Sequence, residues 1–164
     1  MTRHHHILQR RIDSPLGPLT AARSAAGLSG LWFDDQKHHP GPLEVPADDG
    51  SDPVLRATAE ALAAYFSGLP FTLPPLDPAG TAFQREVWQA LLQIAPGQPA
   101  TYGALAERLG RASAARALGA AVGRNPISVL VPCHRVIGAD GSLTGYAGGL
   151  ARKQALLTLE GAAA

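Results

Sequence analysis

Residues 101–123 read TYGALAERLGRASAARALGAAVG, and the punctuation in this stretch decides how the chain folds. Thr101 stands where an N-cap belongs, ahead of a run from Tyr102 to Leu109, and Gly110 stops that run. A tight turn leads to Ser113, expected as the next cap, and Ala114 to Val122 reads as a short, alanine-rich helix ending at Gly123. Two short helices joined in this way fit a helix-turn-helix, with Arg116 on the second helix. The charge nearby is one-sided: Arg108, Arg111, Arg116, Arg124 and Arg135 occur with no Asp or Glu between them. Such a stretch is the footprint of a polyanion-binding surface, although a solvated face would also carry it. The small residues Ala114, Ala117, Gly119, Ala120 and Ala121 leave two readings open. Either the helix approaches another molecule closely, or it packs tightly in a core.

Towards the C-terminus, Asn125-Pro126 ends this helix, and Ile127 to Val131 reads as a buried strand delivering Pro132-Cys133-His134-Arg135-Val136. Cys133 is the only cysteine, and His134 is the only histidine in the C-terminal half. A lone cysteine excludes an internal disulfide and a multi-thiolate zinc site. What remains is a buried spectator or a nucleophile, and the basic surroundings favour a thiolate. Neighbours on a regular strand point to opposite faces. His134 therefore reaches Cys133 only if the strand breaks there or a water bridges them. Asp140-Gly141 is a hairpin-type turn, and Gly145-Tyr146-Ala147-Gly148-Gly149 is a glycine-rich loop before a final helix to Glu160, with Gly161 as its C-cap.

Towards the N-terminus, Thr81-x-x-Gln84 reads as a capping box, followed by a helical stripe of Phe83, Val87, Trp88, Leu91 and Ile94 that Pro96-Gly97 breaks. Pro70 to Gly80 is an extended connection and the expected lobe boundary. Before it, Asp52 or Ser51 caps a helix with Pro53 at its first position, with Leu55, Ala59, Leu62 and Phe66 on one face and Gly68 at its end. The first 35 residues read as strands over Ile7 to Asp13, Leu19 to Ala22 and Leu28 to Phe33, and 34–52 is a loop.

With 164 residues, 46% hydrophobic and 16% charged, the chain has an ordinary globular composition and length for one domain or two small lobes. Residues 1–80 hold six basic and nine acidic side chains, whereas 81–164 hold eight and four, so the basic half carries the helix-turn-helix. Arginine outnumbers lysine twelve to two. No apolar run approaches the roughly 20 residues that span a bilayer. The N-terminus lacks a signal-peptide core, so a cytoplasmic location is expected.

Pro132-Cys133-His134-Arg135-Val136, with Asn125-Pro126 before it and Gly145-Tyr146-x-Gly148-Gly149-Leu150 and Lys153 after it, resembles the O6-alkylguanine-DNA alkyltransferases. These are also called methylated-DNA–protein-cysteine methyltransferases. The resemblance runs from about Phe83 to Gly161 and is looser towards the N-terminus. It implies a mixed α/β (α+β) fold, with a small sheet-and-helix lobe over 1–76 packed on a mostly helical lobe over 77–164. It also implies a helix-turn-helix that enters the minor groove. Arg116 matches the arginine that fills the space of an everted nucleotide, and Tyr102 the tyrosine that contacts the flipped base. Ser113, Ala117, Ala120, Gly123 and Arg124 would lie on the DNA. The partner implied is double-stranded DNA carrying an alkylated guanine, met by a monomer, with cooperative assembly on DNA as an option.

By the same resemblance, the Cys133 thiolate displaces the alkyl group from O6-alkylguanine, and less readily from O4-alkylthymine, and is consumed once. A free thiol titrates near ~8.5, so it needs an activator. His134 matches the base, Glu160 the carboxylate that orients it, and a water links His134 to the sulfur. Tyr102, the backbone N–H at Ala147, Tyr146 and the Val136 carbonyl would line the base pocket. Some relatives carry serine where this chain has Ala147. Asn125 would hold the turn before Cys133, and Arg135 would anchor the fold through carboxylates or carbonyls. No cofactor and no metal are implied. Two rivals stand beside this reading: a non-catalytic lesion binder or regulator, which Cys133 disfavours, and a metal protein using His4, His5, His6, His38 and His39.

Overall fold

The computed structural model describes residues 5–162. Its elements, in chain order, are β1 (Leu8–Ile12), β2 (Leu19–Arg23), β3 (Leu28–Phe33), α1 (Pro53–Phe66), α2 (Ala82–Leu91), β4 (Ala100–Thr101), α3 (Tyr102–Arg108), α4 (Ala115–Gly123), β5 (Val136–Ile137) and α5 (Leu150–Leu159). A single 3₁₀ turn, Cys133–Arg135, precedes β5. The chain divides into two units: Met1–Ala79 with Pro126–Leu130, and Gly80–Asn125 with Val131–Ala164. The fold is mixed α/β, a three-stranded antiparallel sheet with a helix followed by a mostly helical region.

In the first unit β1, β2 and β3 form an antiparallel meander, and α1 packs against all three strands. Every residue of β3 is buried, as expected of a strand covered on both faces. Gly30 lies two residues before Trp32, on the same face, and the indole takes the space of the missing side chain: a Cβ at Gly30 would lie 1.9 Å from the ring. The free edge of β1 is covered by Gln9 N–H donating to the Pro46 carbonyl and Asp48 N–H to that of Gln9. The outer edge of β3 is covered by segments 75–77 and 126–128, through single parallel bridges at Leu28–Leu76 and Leu31–Ile127. Among the described residues no long sheet edge is left as a template for another chain. The Asp52 carboxylate caps α1 by accepting from Leu55 N–H, with Pro53 at the first position.

The strand expected over Ile127 to Val131 does not form. After the single bridge at Ile127, Leu130 N–H donates to the Ser128 carbonyl at 2.8 Å, a γ-turn centred on Val129 at φ 69°. A β-branched residue at positive φ is strained by about 1–3 kcal/mol, and here its side chain is buried. The run is apolar because it is buried. Ser128 N–H still donates to the Leu31 carbonyl, but from there the backbone turns on itself and forms no ladder.

In the second unit the Thr81–Gln84 capping box opens α2, which buries Val87, Trp88 and Leu91. Ile94 lies beyond the helix in the following turn and is still buried. The Trp88 indole N–H donates to the Ala121 carbonyl at 2.8 Å, fastening α2 to α4 through one of the last carbonyls of α4. Thr101 caps α3 by accepting from Ala104 N–H. Ser113 does not cap α4: the helix starts one residue later than expected, Ala114 occupies the cap position, and it offers no side-chain acceptor. Ala114 N–H instead donates to the Arg111 carbonyl, closing a turn that places Ser113 on the surface. Asp140-Gly141 does turn, with Gly138 N–H bonded to the Ser142 carbonyl, but no strand follows it among the described residues. The sequence did not disclose the parallel pairing of β4 with β5, which sets Ala100 opposite Val136 and Thr101 opposite Ile137.

Candidate active site

The chain breaks its extended path at Pro132. This residue lies at φ −83°, ψ 64°, and Cys133 N–H donates back to the Val131 carbonyl at 2.8 Å, an inverse γ-turn. The 3₁₀ turn Cys133–Arg135 follows at once, so Cys133 and His134 do not occupy opposite faces of a strand. The strand breaks here, but the break alone does not join the pair: no hydrogen bond links the His134 ring to the sulfur among the described residues. Asn125, just past α4, donates its side-chain amide to the Val131 carbonyl at 2.8 Å and holds this turn. It also hydrogen bonds the thiol.

Cys133 is buried, and burial pushes its thiol above the ordinary range. The Asn125 hydrogen bond and the charge of Lys153 pull the other way without prevailing. Burial thus works against the thiolate that basic surroundings were expected to favour. The cation that acts on the sulfur is Lys153, and the arginines of the acid-free stretch do not figure in the shift.

His134 is fully buried, and its Nε2 lies 2.7 Å from Glu160 Oε2. A carboxylate only accepts, so Nε2 carries the hydrogen and the neutral ring keeps its lone pair on Nδ1. Nδ1 is buried and has no hydrogen-bond partner among the described residues. Burial lowers the basicity of the imidazole, and Glu160 partly restores it. Tyr146 stands edge-on to the His134 ring, with centroids 6.4 Å apart. Glu160 occupies the C-cap of α5, and Gly161 follows it at φ 82°, the left-handed geometry that ends the helix.

Arg135 grips the same carboxylate, with Nε 2.8 Å from Oε1 and one terminal nitrogen 3.0 Å from Oε2, while its other terminal nitrogen donates to the Ile94 carbonyl at 2.7 Å. Lys153, fully buried, donates Nζ to the carbonyls of Val136 at 2.6 Å, Thr144 at 2.7 Å and Gly145 at 3.4 Å. It joins the start of the glycine-rich loop to β5 and sits beside the thiol. The β4–β5 pairing aligns the start of α3, and with it half-buried Tyr102, with the chain leaving Cys133. Ala147 is half-buried in the loop, whose last bond, Gly149 N–H to the Tyr146 carbonyl, leads into α5.

On α4, Leu118, Ala121 and Val122 face inward, while Arg116, Ala117, Ala120 and Arg124 are exposed. A Cβ at Gly119 or Gly123 would meet no atom within 4 Å. Internal packing therefore does not require either residue to be small, which removes the core reading for Gly119.

Two family models match the chain. One describes the DNA-binding domain of 6-O-methylguanine DNA methyltransferase, over residues 82–162, and the other the ribonuclease-like domain of the same protein, over 7–78. The methylated-DNA–protein-cysteine methyltransferase of Mycobacterium bovis is 47% identical over 155 residues, spanning 94% of this chain and 92% of that protein. This chain belongs to the 6-O-methylguanine DNA methyltransferase family. The relative from Mycobacterium leprae is 48% identical over 152 residues, 92% of this chain and 90% of its own length. The crystal structure of Mycobacterium tuberculosis OGT in complex with DNA superposes with a TM-score of 0.84 at 46% identity, covering 94% of this chain and 92% of that one.

Of the residues expected at the site, the structure brings together Cys133, His134, Glu160, Asn125, Val136 and Tyr146, and leaves Arg116, Ala117 and Ala120 of α4, with Arg124 just past its end, on the surface. Sequence reading assigned no role to Lys153. The signal was there: it is one of two lysines among twelve arginines, three and four residues before the apolar Leu156 and Leu157. Among the described residues no group of three potential ligands could hold a metal. His5 lies 3.3 Å from the Asp77 carboxylate, and the His6 Nδ1 is 2.6 Å from Ser29 Oγ. His39 Nδ1 accepts from Gly41 N–H at 2.9 Å, His38 lies in the same loop at φ 61°, and His4 lies outside the described residues. No described helix is long and apolar enough to cross a membrane.

Proposed function

We propose that this chain is a methylated-DNA–protein-cysteine methyltransferase that repairs O6-methylguanine in DNA by taking the methyl group onto Cys133. One observation supports this above the others: Cys133 and a buried His134 share one 3₁₀ turn, and the Nε2–H of His134 is committed to Glu160, which leaves Nδ1 as the acceptor. His134 receives the thiol proton at Nδ1, through a water, and Glu160 stabilises the imidazolium. The sulfur forms a bond to the methyl carbon, the carbon–O6 bond breaks, and its electron pair goes to O6. The base takes up the proton that left the thiol and departs as guanine. The product is a thioether with no good leaving group, so each molecule acts once.

The thiol is buried, and a base inside a duplex cannot reach it. The lesion must therefore leave the stack, at a cost of a few kcal/mol that a poorly pairing base lowers. The exposed small-residue face of α4 supports close approach to the minor groove, with Arg116 filling the vacated space and Ser113, Ala117, Ala120, Gly123 and Arg124 against the backbone. Tyr102, the N–H at Ala147 and the Val136 carbonyl receive the flipped base. Lys153 already occupies one lone pair of that carbonyl, and the other remains for the exocyclic amine of guanine.

The test is intact-protein mass after incubation with a duplex bearing one O6-methylguanine, beside undamaged duplex and Cys133→Ala. A gain of one methyl on Cys133, stopping at one per molecule, is the expected result. Tight lesion binding with no gain would make the chain a non-catalytic damage sensor.

A further inference from the structure

We infer that Arg135 is a positioning residue for methyl transfer: by gripping both oxygens of Glu160, it fixes which nitrogen of His134 faces the thiol as base. The inference rests on the methyl-transfer reading above and assigns to the motif arginine a task beyond anchoring the fold. Glu160 Oε2 accepts from both His134 Nε2 at 2.7 Å and an Arg135 terminal nitrogen at 3.0 Å, while Arg135 Nε takes Oε1 at 2.8 Å. The two nitrogens of the guanidinium meet the carboxylate as a fork, which sets the carboxylate plane. The third nitrogen, on the Ile94 carbonyl, stops the fork from swinging. With its plane fixed, Glu160 presents Oε2 to one ring nitrogen only.

Two consequences follow. First, a guanidinium remains charged at any working pH, so Glu160 remains a carboxylate and holds the Nε2–H tautomer. Were the carboxylate free to rotate or to take a proton, the ring could carry its hydrogen on Nδ1. It would then point a donor at the sulfur, where no proton can be received. Second, the arginine charge opposes the imidazolium. The groups acting on His134 are Glu160, which raises its basicity, and Arg135 and Lys153, which lower it, with Tyr146 edge-on from the glycine-rich loop and Cys133 next to it in the turn. Arg135 therefore acts in two separable ways, through fork geometry and through charge.

Arg135→Lys keeps the charge and loses the fork, whereas Arg135→Gln loses both. The experiment measures the single-turnover rate of methyl transfer from an O6-methylguanine duplex against pH for both variants and the unaltered protein. Lesion-DNA affinity, thermal midpoints and the tautomer of His134 by ¹⁵N NMR are recorded alongside. Arg135→Lys is expected to lose about tenfold or more, a part of the 10²–10⁴ that general base catalysis contributes in full. Its acidic limb should keep its place and its His134 should be a mixture of tautomers. Arg135→Gln is expected to lose at least as much, with its acidic limb moved up by about one pH unit, because a like charge has left the imidazole.

DNA affinity should not change, since Arg135 is buried. Unchanged pH profiles and an unchanged Nε2–H tautomer in both variants would overturn the inference and leave Arg135 a purely structural anchor. Should either variant fail to fold, the ¹⁵N spectrum of the unaltered protein decides: an Nδ1–H tautomer there overturns the inference. Absence of methyl transfer in the unaltered protein would instead refute the function on which it rests.

Discussion

At the scale of single residues, the site depends on burial more than on net charge. Burial raises the Cys133 thiol and lowers the His134 imidazole, so it favours the neutral form of both. His134→Gln should slow transfer about 10²–10⁴-fold, the usual contribution of a general base, in a single-turnover quench assay. The sign of the pH effect on stability follows from the lowered His134. Its contribution is complete above the unfolded value of about 6.5 and is lost as pH falls through the folded value, because the unfolded chain binds that proton more readily. Denaturant unfolding should therefore show the unaltered protein weakening below about pH 6.5, with His134→Gln flatter over that range. Lys153 lowers the thiol by its charge alone, so Lys153→Met should move the Cys133 titration, followed by thiolate absorbance, to higher pH. It should also leave the Val136, Thr144 and Gly145 carbonyls without their shared donor, costing about 1–3 kcal/mol of stability.

At the scale of elements, α4 and its neighbours separate surface work from core work. Gly119 sits in a helix with open space around its missing side chain. Gly119→Ala should therefore stabilise the fold by up to about 1 kcal/mol through helix propensity. If this face meets DNA, the same change weakens DNA binding. Opposite signs in a thermal melt and a DNA-binding titration would be hard to obtain from a core position. Two of the expected N-caps, Thr81 and Ser113, make a second pair. Thr81→Ala removes a capping box and should cost about 1 kcal/mol, whereas Ser113→Ala should leave the melting temperature unchanged because Ser113 caps nothing. The difference between them shows what a cap reading lacks. The residue type was right in both places, but the turn after Arg111 closes through the backbone and moves the cap to Ala114.

At the scale of the whole molecule, the basic residues concentrate after position 80 while the acidic ones concentrate before it. Affinity for DNA should fall steeply with salt, and Arg124→Ala should reduce the log–log slope by about 0.9 if it meets one phosphate, whereas Arg116→Ala, which empties the space of the flipped nucleotide, should weaken lesion binding at every salt concentration. The sequence by itself determined the helices, their caps at Thr81 and Thr101 and the choice of Asp52 or Ser51 for a third, the three strands of the first unit and the Cys133–His134 pairing of residue types. These follow from local chemistry: side-chain oxygens beside free N–H groups, glycines at positive φ, and apolar periodicity. Tertiary structure alone decided the rest. Ile127 to Val131 looks like a strand because it is buried, but a run of apolar residues records burial and not hydrogen-bond direction. The pairing of β4 with β5 joins residues 36 apart through two residues each, too short for any pattern. The grip of Arg135 on Glu160 and of Lys153 on three carbonyls spans 25 and 17 or fewer residues of chain, and only the folded backbone brings those groups within hydrogen-bond distance. Whether the lone thiol is ionised was likewise not legible in sequence, because basic residues nearby in the chain act on it less than the desolvation that packing imposes.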